Sequence, residues 1–181
     1  LCAITTDSGV LCLSGGNNSV TGQQIIHPAR VDGLPSDVST LFLGLADQCA
    51  LPSRNSLWCW GRMTPAANSV VTAGLLPATA MTALGDDVAE VSIGWQHACA
   101  RKRSGAVMCW GDNKLGQLGS GTLTPSETPI AVTGLHEPVT KVVCGINYSC
   151  ALRADGKVAC WGQNLYGALG RDVSTAHSTP F

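Results

Sequence analysis

The stretch His97-Ala98-Cys99-Ala100-Arg101-Lys102-Arg103-Ser104-Gly105-Ala106-Val107-Met108-Cys109-Trp110-Gly111-Asp112-Asn113-Lys114-Leu115-Gly116-Gln117-Leu118-Gly119 decides how the chain is read. Two short alternating runs, 97–101 and 106–110, flank the turn-like tetrad Lys102-Arg103-Ser104-Gly105. That arrangement is a hairpin signature. Trp110-Gly111 follows, and then a polar loop punctuated by glycine. The same text returns at 148–170, from Tyr148-Ser149-Cys150 through Cys160-Trp161-Gly162 to Gly167-Ala168-Leu169-Gly170.

Working outward, eight of the nine cysteines obey one spacing. Cys2 and Cys12, Cys49 and Cys59, Cys99 and Cys109, and Cys150 and Cys160 are each ten positions apart. Each pair brackets a turn, so the two thiols face each other on adjacent antiparallel strands. Opposed positions there have Cβ atoms about 4.5–5.5 Å apart, within a modest adjustment of disulfide geometry. A bridge closing so short a loop contributes about 2.5–3 kcal/mol in the chain-entropy model. Structural zinc sites favour short Cys-x₂₋₄-Cys spacings, which this chain lacks. Reduced cysteine as a small core residue is the other reading. Disulfides are favoured over both, and they imply an oxidising, extracytoplasmic compartment. Cys144 is left over and reads as a buried thiol.

Registered on the first cysteine of each pair (2, 49, 99, 150), the repeats recur at intervals of 47, 50 and 51 residues. Such periods mark propellers and solenoids. Each unit reads as four strands. The first is a valine-rich run ending in glycine, at 38–44, 88–94 and 139–145. The second and third carry the cysteines, at 48–51 and 57–61, 97–101 and 106–111, and 149–153 and 157–162. The fourth follows a proline, at 28–31, 77–81 and 129–132. The blades are expected at 1–34 (partial), 37–84, 87–135 and 138–181 (partial). Residue 1 falls inside a second strand and 179–181 begin a fourth, giving about three and a half blades with open edges. Open edges invite pairing, so further blades, a second copy or another protein is expected to cover them.

Composition narrows the class. The 181 residues are 45% hydrophobic and 13% charged, with a net charge of −1. That is enough apolar content for a core. Without clustered Lys and Arg, nucleic acid is not an expected partner. No apolar run approaches the roughly 20 residues of a membrane helix, and no basic-then-apolar leader is present, as expected of a mature, cleaved or fragmentary chain.

The series Val-x-x-Val-x-x-Gly, His-x-Cys-Ala, Gly-x-Val-x-Cys-Trp-Gly-x-Asn-x-x-Gly-Gln-Leu-Gly and Pro-x-x-Val resembles the regulator of chromosome condensation (RCC1) repeat family. The likeness is strong over 88–170 and weaker before it. It implies an all-β fold, a seven-bladed β-propeller with about 50 residues per four-stranded blade, of which this chain would supply part. Cysteine at both hairpin positions looks like the secreted or cell-surface relatives. The founding member is a guanine-nucleotide exchange factor using an inserted β-wedge; no such insertion is visible here. Fold does not transfer function, so the shared habit of working through loops on one propeller face is what the resemblance implies.

No catalytic constellation is expected. Gly-x-Ser-x-Gly is missing, and the nearest string, Leu118-Gly119-Ser120-Gly121, reads as a flexible turn. His27, His136 and His177 show no paired metal spacing, and His97 reads as a structural residue whose ring satisfies a backbone carbonyl. Asp86, Asp87, Asp112 and Asp155 are turn residues by context. Trp60, Trp110 and Trp161, each before glycine, suit blade-to-blade packing: a large ring fills the wedge between sheets. Trp95 stands at a turn on the central face, where an exposed aromatic serves as a contact hot spot. Arg62, Leu115 and Gln117, in the variable loops 62–74 and 115–128, are the other expected partner contacts. Asn17-Asn18-Ser19 and Asn147-Tyr148-Ser149 match the glycosylation sequon. The resulting expectation is a non-catalytic interaction or structural module without cofactor. An exchange-factor-type regulator of a small GTPase, or an inhibitor of a secreted enzyme, is the alternative.

Overall fold

The computed structural model describes residues 1–17, 24–44, 47–53, 56–61, 77–170 and 176–181. The hairpin opening the argument forms as its sequence dictates. β9 (His97–Lys102) and β10 (Val107–Gly111) pair antiparallel with Cys99 opposite Cys109. Gly105 closes the turn at φ 87°, and a Cβ there would stand 2.6 Å from Pro138. A side chain is excluded both by conformation and by space.

Fourteen described strands fall into four antiparallel sheets in chain order. The first holds β1 (Cys2–Ile4), β2 (Val10–Asn17) and β3 (Gln24–Arg30). The second holds β4 (Val38–Leu43), β5 (Asp47–Pro52), β6 (Trp58–Gly61) and β7 (Thr79–Ala80). The third holds β8 (Val88–Ile93), β9, β10 and β11 (Ser126–Ala131), and the fourth β12 (Val139–Cys144), β13 (Tyr148–Arg153) and β14 (Val158–Gly162). Within each sheet neighbours in sequence pair in space, the up-and-down order of a propeller blade. Alongside β14, His177 bridges Gly162 and Phe181 exchanges backbone hydrogen bonds with Cys160, so 176–181 continue that sheet.

Two details depart from expectation. The outer strands do not start at their prolines: β3 begins at Gln24 and β11 at Ser126, with Pro129 inside it. Pro129 falls where the β10–β11 register slips, and an edge strand at a bulge is where a residue without an N–H fits. In addition, the first strands of sheets two, three and four share one irregularity, at 38–40, 88–90 and 139–141. The skipped Ser39 and Thr140 turn their hydroxyls to the carbonyls of Leu51 and Leu152, at 2.9 and 3.1 Å. These two bulges thus repair part of the ladder they interrupt, whereas the third skips Ala89, which has no hydroxyl.

The cores lie between sheets. Cys12, Val10 and Val31 of the first sheet enclose Trp60 of the second together with Ala50 and Ala78. Cys49 and Cys59 share a cluster with Trp110, and Cys99 and Cys109 share one with Trp161. Alternation explains the arrangement. Cysteine and tryptophan are adjacent in β6, β10 and β14, so they point to opposite faces. The first three sheets show their sulfurs to the next sheet, and the last three show their indole to the previous one.

All four expected cysteine pairs are bridged, with Cα separations of 4.0–4.1 Å, and Cys144 is free. Alkylation of denatured, unreduced protein followed by mass measurement is therefore expected to add one label, at Cys144, and nine after reduction. Nine labels without reductant would remove the staples from the fold.

Candidate functional site

The loop after Trp110-Gly111 is organised by two amides buried within it. Asn113 is fully enclosed; its Nδ2 donates to the carbonyls of Thr122 and Thr124 at 3.0 Å, and its Oδ1 accepts from Leu118 N at 2.9 Å. Asn164 repeats the last contact with Leu169 N at 3.1 Å. Gln117 is 0% exposed. Its Oε1 accepts from Leu115 N and its Nε2 donates to Asp112 Oδ2, at 2.9 and 3.0 Å. Its carbonyl receives Trp161 Nε1 at 2.9 Å and Ser149 Oγ at 3.1 Å.

That placement corrects one expectation: Gln117 does not face a partner. An amide with both ends engaged inside the loop shapes the loop and docks it on the next blade. Leu115 is half-buried beside it. The exposed part lies further on, at 121–125, where Leu123 is 56% exposed. This tip lies within the expected contact loop 115–128, but the sequence does not single out Leu123, because a glycine- and threonine-rich run has no period to flag its one large apolar residue. Arg62, the loop 62–74 and the end of the first sequon lie outside the described residues.

Trp95, in contrast, is 49% exposed. β8 touches both β4 and β12, so the first strands of successive sheets converge. Where they end, Leu43, Ile93, Trp95, Cys144 and Ile146 line an open groove of about 460 Å³, together with Gly44, Gly94 and Gly145. Trp95 and Ile146 occupy the same place in consecutive repeats, each directly after the glycine, and the backbone N–H of Trp95 donates to Ile146 O at 3.3 Å. Among the described residues no carboxylate lines this groove, and its chemistry is apolar contact.

Beneath it lies a small polar knot between the third and fourth sheets. His97 is buried, with Nε2 2.9 Å from Ser149 Oγ. Burial pulls its imidazole down to about 4, against the attraction of Asp112, so the ring is neutral near pH 7 and ties one blade to the next. His97, Cys99 and Cys144 bring three potential ligand atoms within 4.8 Å. Cys99 is spent in its disulfide, leaving one imidazole and one thiol where a structural zinc ion takes four ligands. Burial pushes the Cys144 thiol up to about 11. Among the described residues no helix is long and apolar enough to cross a membrane.

Comparison with known proteins agrees with this geometry. Models of the regulator of chromosome condensation (RCC1) repeat match residues 88–117, 139–168 and 104–152. The protein RCC2 homolog of Xenopus laevis is 40% identical over 65 residues, 34% of this chain and 12% of that one. Human WBSCR16 superposes with a TM-score of 0.75 at 20% identity, over 99% of this chain and 49% of that chain. Prp20p of Saccharomyces cerevisiae, described with binding properties to Gsp1p and histones, gives 0.77 at 17% identity, over 99% and 47%. The chain thus spans about half the length of the solved propellers it matches and a smaller share of the curated relative. Hairpin register and superposition together show a β-propeller fold, and within it residues 88–168 match the RCC1 repeat.

Proposed function

We propose that this chain is a non-catalytic interaction module that meets a protein partner through the central groove around Trp95 and Ile146. The carrying observation is the half-exposed indole beside Ile146 and Leu43, apolar surface at a place that two consecutive repeats present. Aromatic residues dominate binding energy at such surfaces. The loop tip at Leu123, with Leu115 behind it, and loop 62–74 with Arg62 extend the contact surface in this reading. Protein binding is also a property of two propeller neighbours, Prp20p with Gsp1p and histones and yeast RCC1 with Kap60.

Further blades cover the two outer sheet faces in this reading. Val107 is 4% exposed under the fourth sheet, whereas Val158, its counterpart one repeat later, is 62% exposed beside Leu152 and Val143. At the other end Leu13 stands in the place of Trp60 and is also exposed. Four disulfides suit an oxidising compartment, so the module works outside the cytoplasm. Its blades are 1–34, 37–84, 87–135 and 138–181.

The test is retention of proteins from an extract of the source on immobilised wild-type chain and Trp95→Ala. One defined protein retained at least tenfold less by the variant is expected, consistent with a hot-spot loss of about 2 kcal/mol or more. Identical retention by both moves the contact away from the groove. If that partner is a small GTPase, a nucleotide-release assay separates plain binding from the exchange-factor reading.

A further inference from the structure

Cys144 is the free cysteine, and it has company. Its sulfur, the Cys99 sulfur and the His97 ring lie within 4.8 Å of one another. Ser149 Oγ stands among them, 3.7 Å from each sulfur and 2.9 Å from His97 Nε2. Cys99 belongs to β9 and Cys144 to β12, strands of neighbouring sheets that touch. A disulfide holds its sulfurs at about 2.05 Å, so a closing movement of under about 3 Å would join them.

We propose that Cys144 is an exchange thiol for the Cys99–Cys109 bridge, able to replace it with a Cys99–Cys144 bridge between the third and fourth blades. The Cys144 thiolate attacks Cys99 Sγ and the Cys99–Cys109 bond breaks. Cys109 leaves as thiolate and takes up the proton that Cys144 gave away. One thiol and one disulfide enter and one of each leaves, so no oxidant or reductant is consumed. Cys99 is the sulfur attacked because it, and not Cys109, belongs to the cluster.

Two features set when the exchange runs. The new bridge closes a separation of 45 residues (144 minus 99) where the old one closes 10, and in the chain-entropy model longer closed loops stabilise more. Against it, packing between the two blades keeps Cys144 protonated although it borders the groove, with the hydroxyls of Ser149 and Ser92 only partly offsetting burial. A protonated thiol does not attack. Exchange is therefore slow while the two blades are pressed together and quickens when their interface loosens. The bridge in place then records whether that interface has opened.

The experiment holds folded protein at pH 9, quenches it in mildly acid denaturant with a maleimide, digests without reductant and maps the cross-linked peptides. With time, label is expected to move from Cys144 to Cys109 while the Cys99 peptide becomes linked through Cys144; Cys144→Ser should show neither change. Label remaining wholly on Cys144 after a day overturns the exchange. A Cys109→Ser variant checks geometry apart from rate. With oxidised glutathione as the oxidant, its Cys99 and Cys144 are expected to close on each other and resist alkylation. Two thiols still open, or each carrying glutathione, would also overturn the proposal.

Discussion

Replacing Trp161 with alanine is expected to cost about 3–5 kcal/mol, the usual price of removing an enclosed aromatic. The indole is fully buried among Cys99, Cys109, Leu118, Val139, Val142 and Ala151, drawn from two sheets. Its removal opens the wedge between blades, and Gln117 O loses the 2.9 Å hydrogen bond from Nε1. Collapse into the space is restricted because the Cys99–Cys109 bridge fixes one wall. Trp161→Phe keeps most of the ring contact and loses the donor, so about 1–3 kcal/mol is expected. Urea unfolding followed by circular dichroism measures both. An alanine variant within about 1 kcal/mol of wild type would refute the wedge.

The second large effect is expected at Asn113. Asn113→Ala removes the partners of the Thr122 and Thr124 carbonyls and of the Leu118 amide in a single change. Each buried group left unmade costs about 1–3 kcal/mol, and with some access to water near the exposed tip a total of about 2–4 kcal/mol is expected. Asn113→Asp discriminates between volume and hydrogen bonding. It keeps Oδ1 for Leu118 but turns an oxygen toward two carbonyls, so it should cost at least as much as alanine. Hydrogen exchange at the Leu118 amide gives the local readout: protection should fall in Asn113→Ala. Unchanged protection would show that the loop holds its shape without the carboxamide.

Much of this architecture was legible because it is written four times. The ten-residue cysteine spacing occurs four times, and a tryptophan after the second cysteine and a glycine in the hairpin turn three times each, and such agreement excludes coincidence. The bulges at Ser39, Ala89 and Thr140 were not legible, since a bulge adds one residue without changing the apolar pattern around it. The start of β11 was misplaced because proline reads as a boundary, whereas Pro129 occupies a bulge within an edge strand. Gln117 was misread for a related reason. A polar residue in a loop reads as solvated, and only the packing of that loop against Ser149 and Trp161 makes it interior. Trp95 was legible as an aromatic at a turn on the central face, and its exposure follows from that position.

The alternation of sulfur and indole along β6, β10 and β14 has a consequence for how such chains can be cut and rejoined. A blade owns half of each of two cores, whereas the stretch from one hairpin's cysteines to the next hairpin's tryptophan owns a whole one. Consecutive cores overlap along the chain, one drawn from Val10 to Ala78 and the next from Cys49 to Trp110, so every junction divides at least one. A chimera joined between blades would match a foreign indole to a resident disulfide at every seam. One joined between the cysteine and the tryptophan of a single hairpin would divide two cores, the one its tryptophan enters and the one its cysteines line.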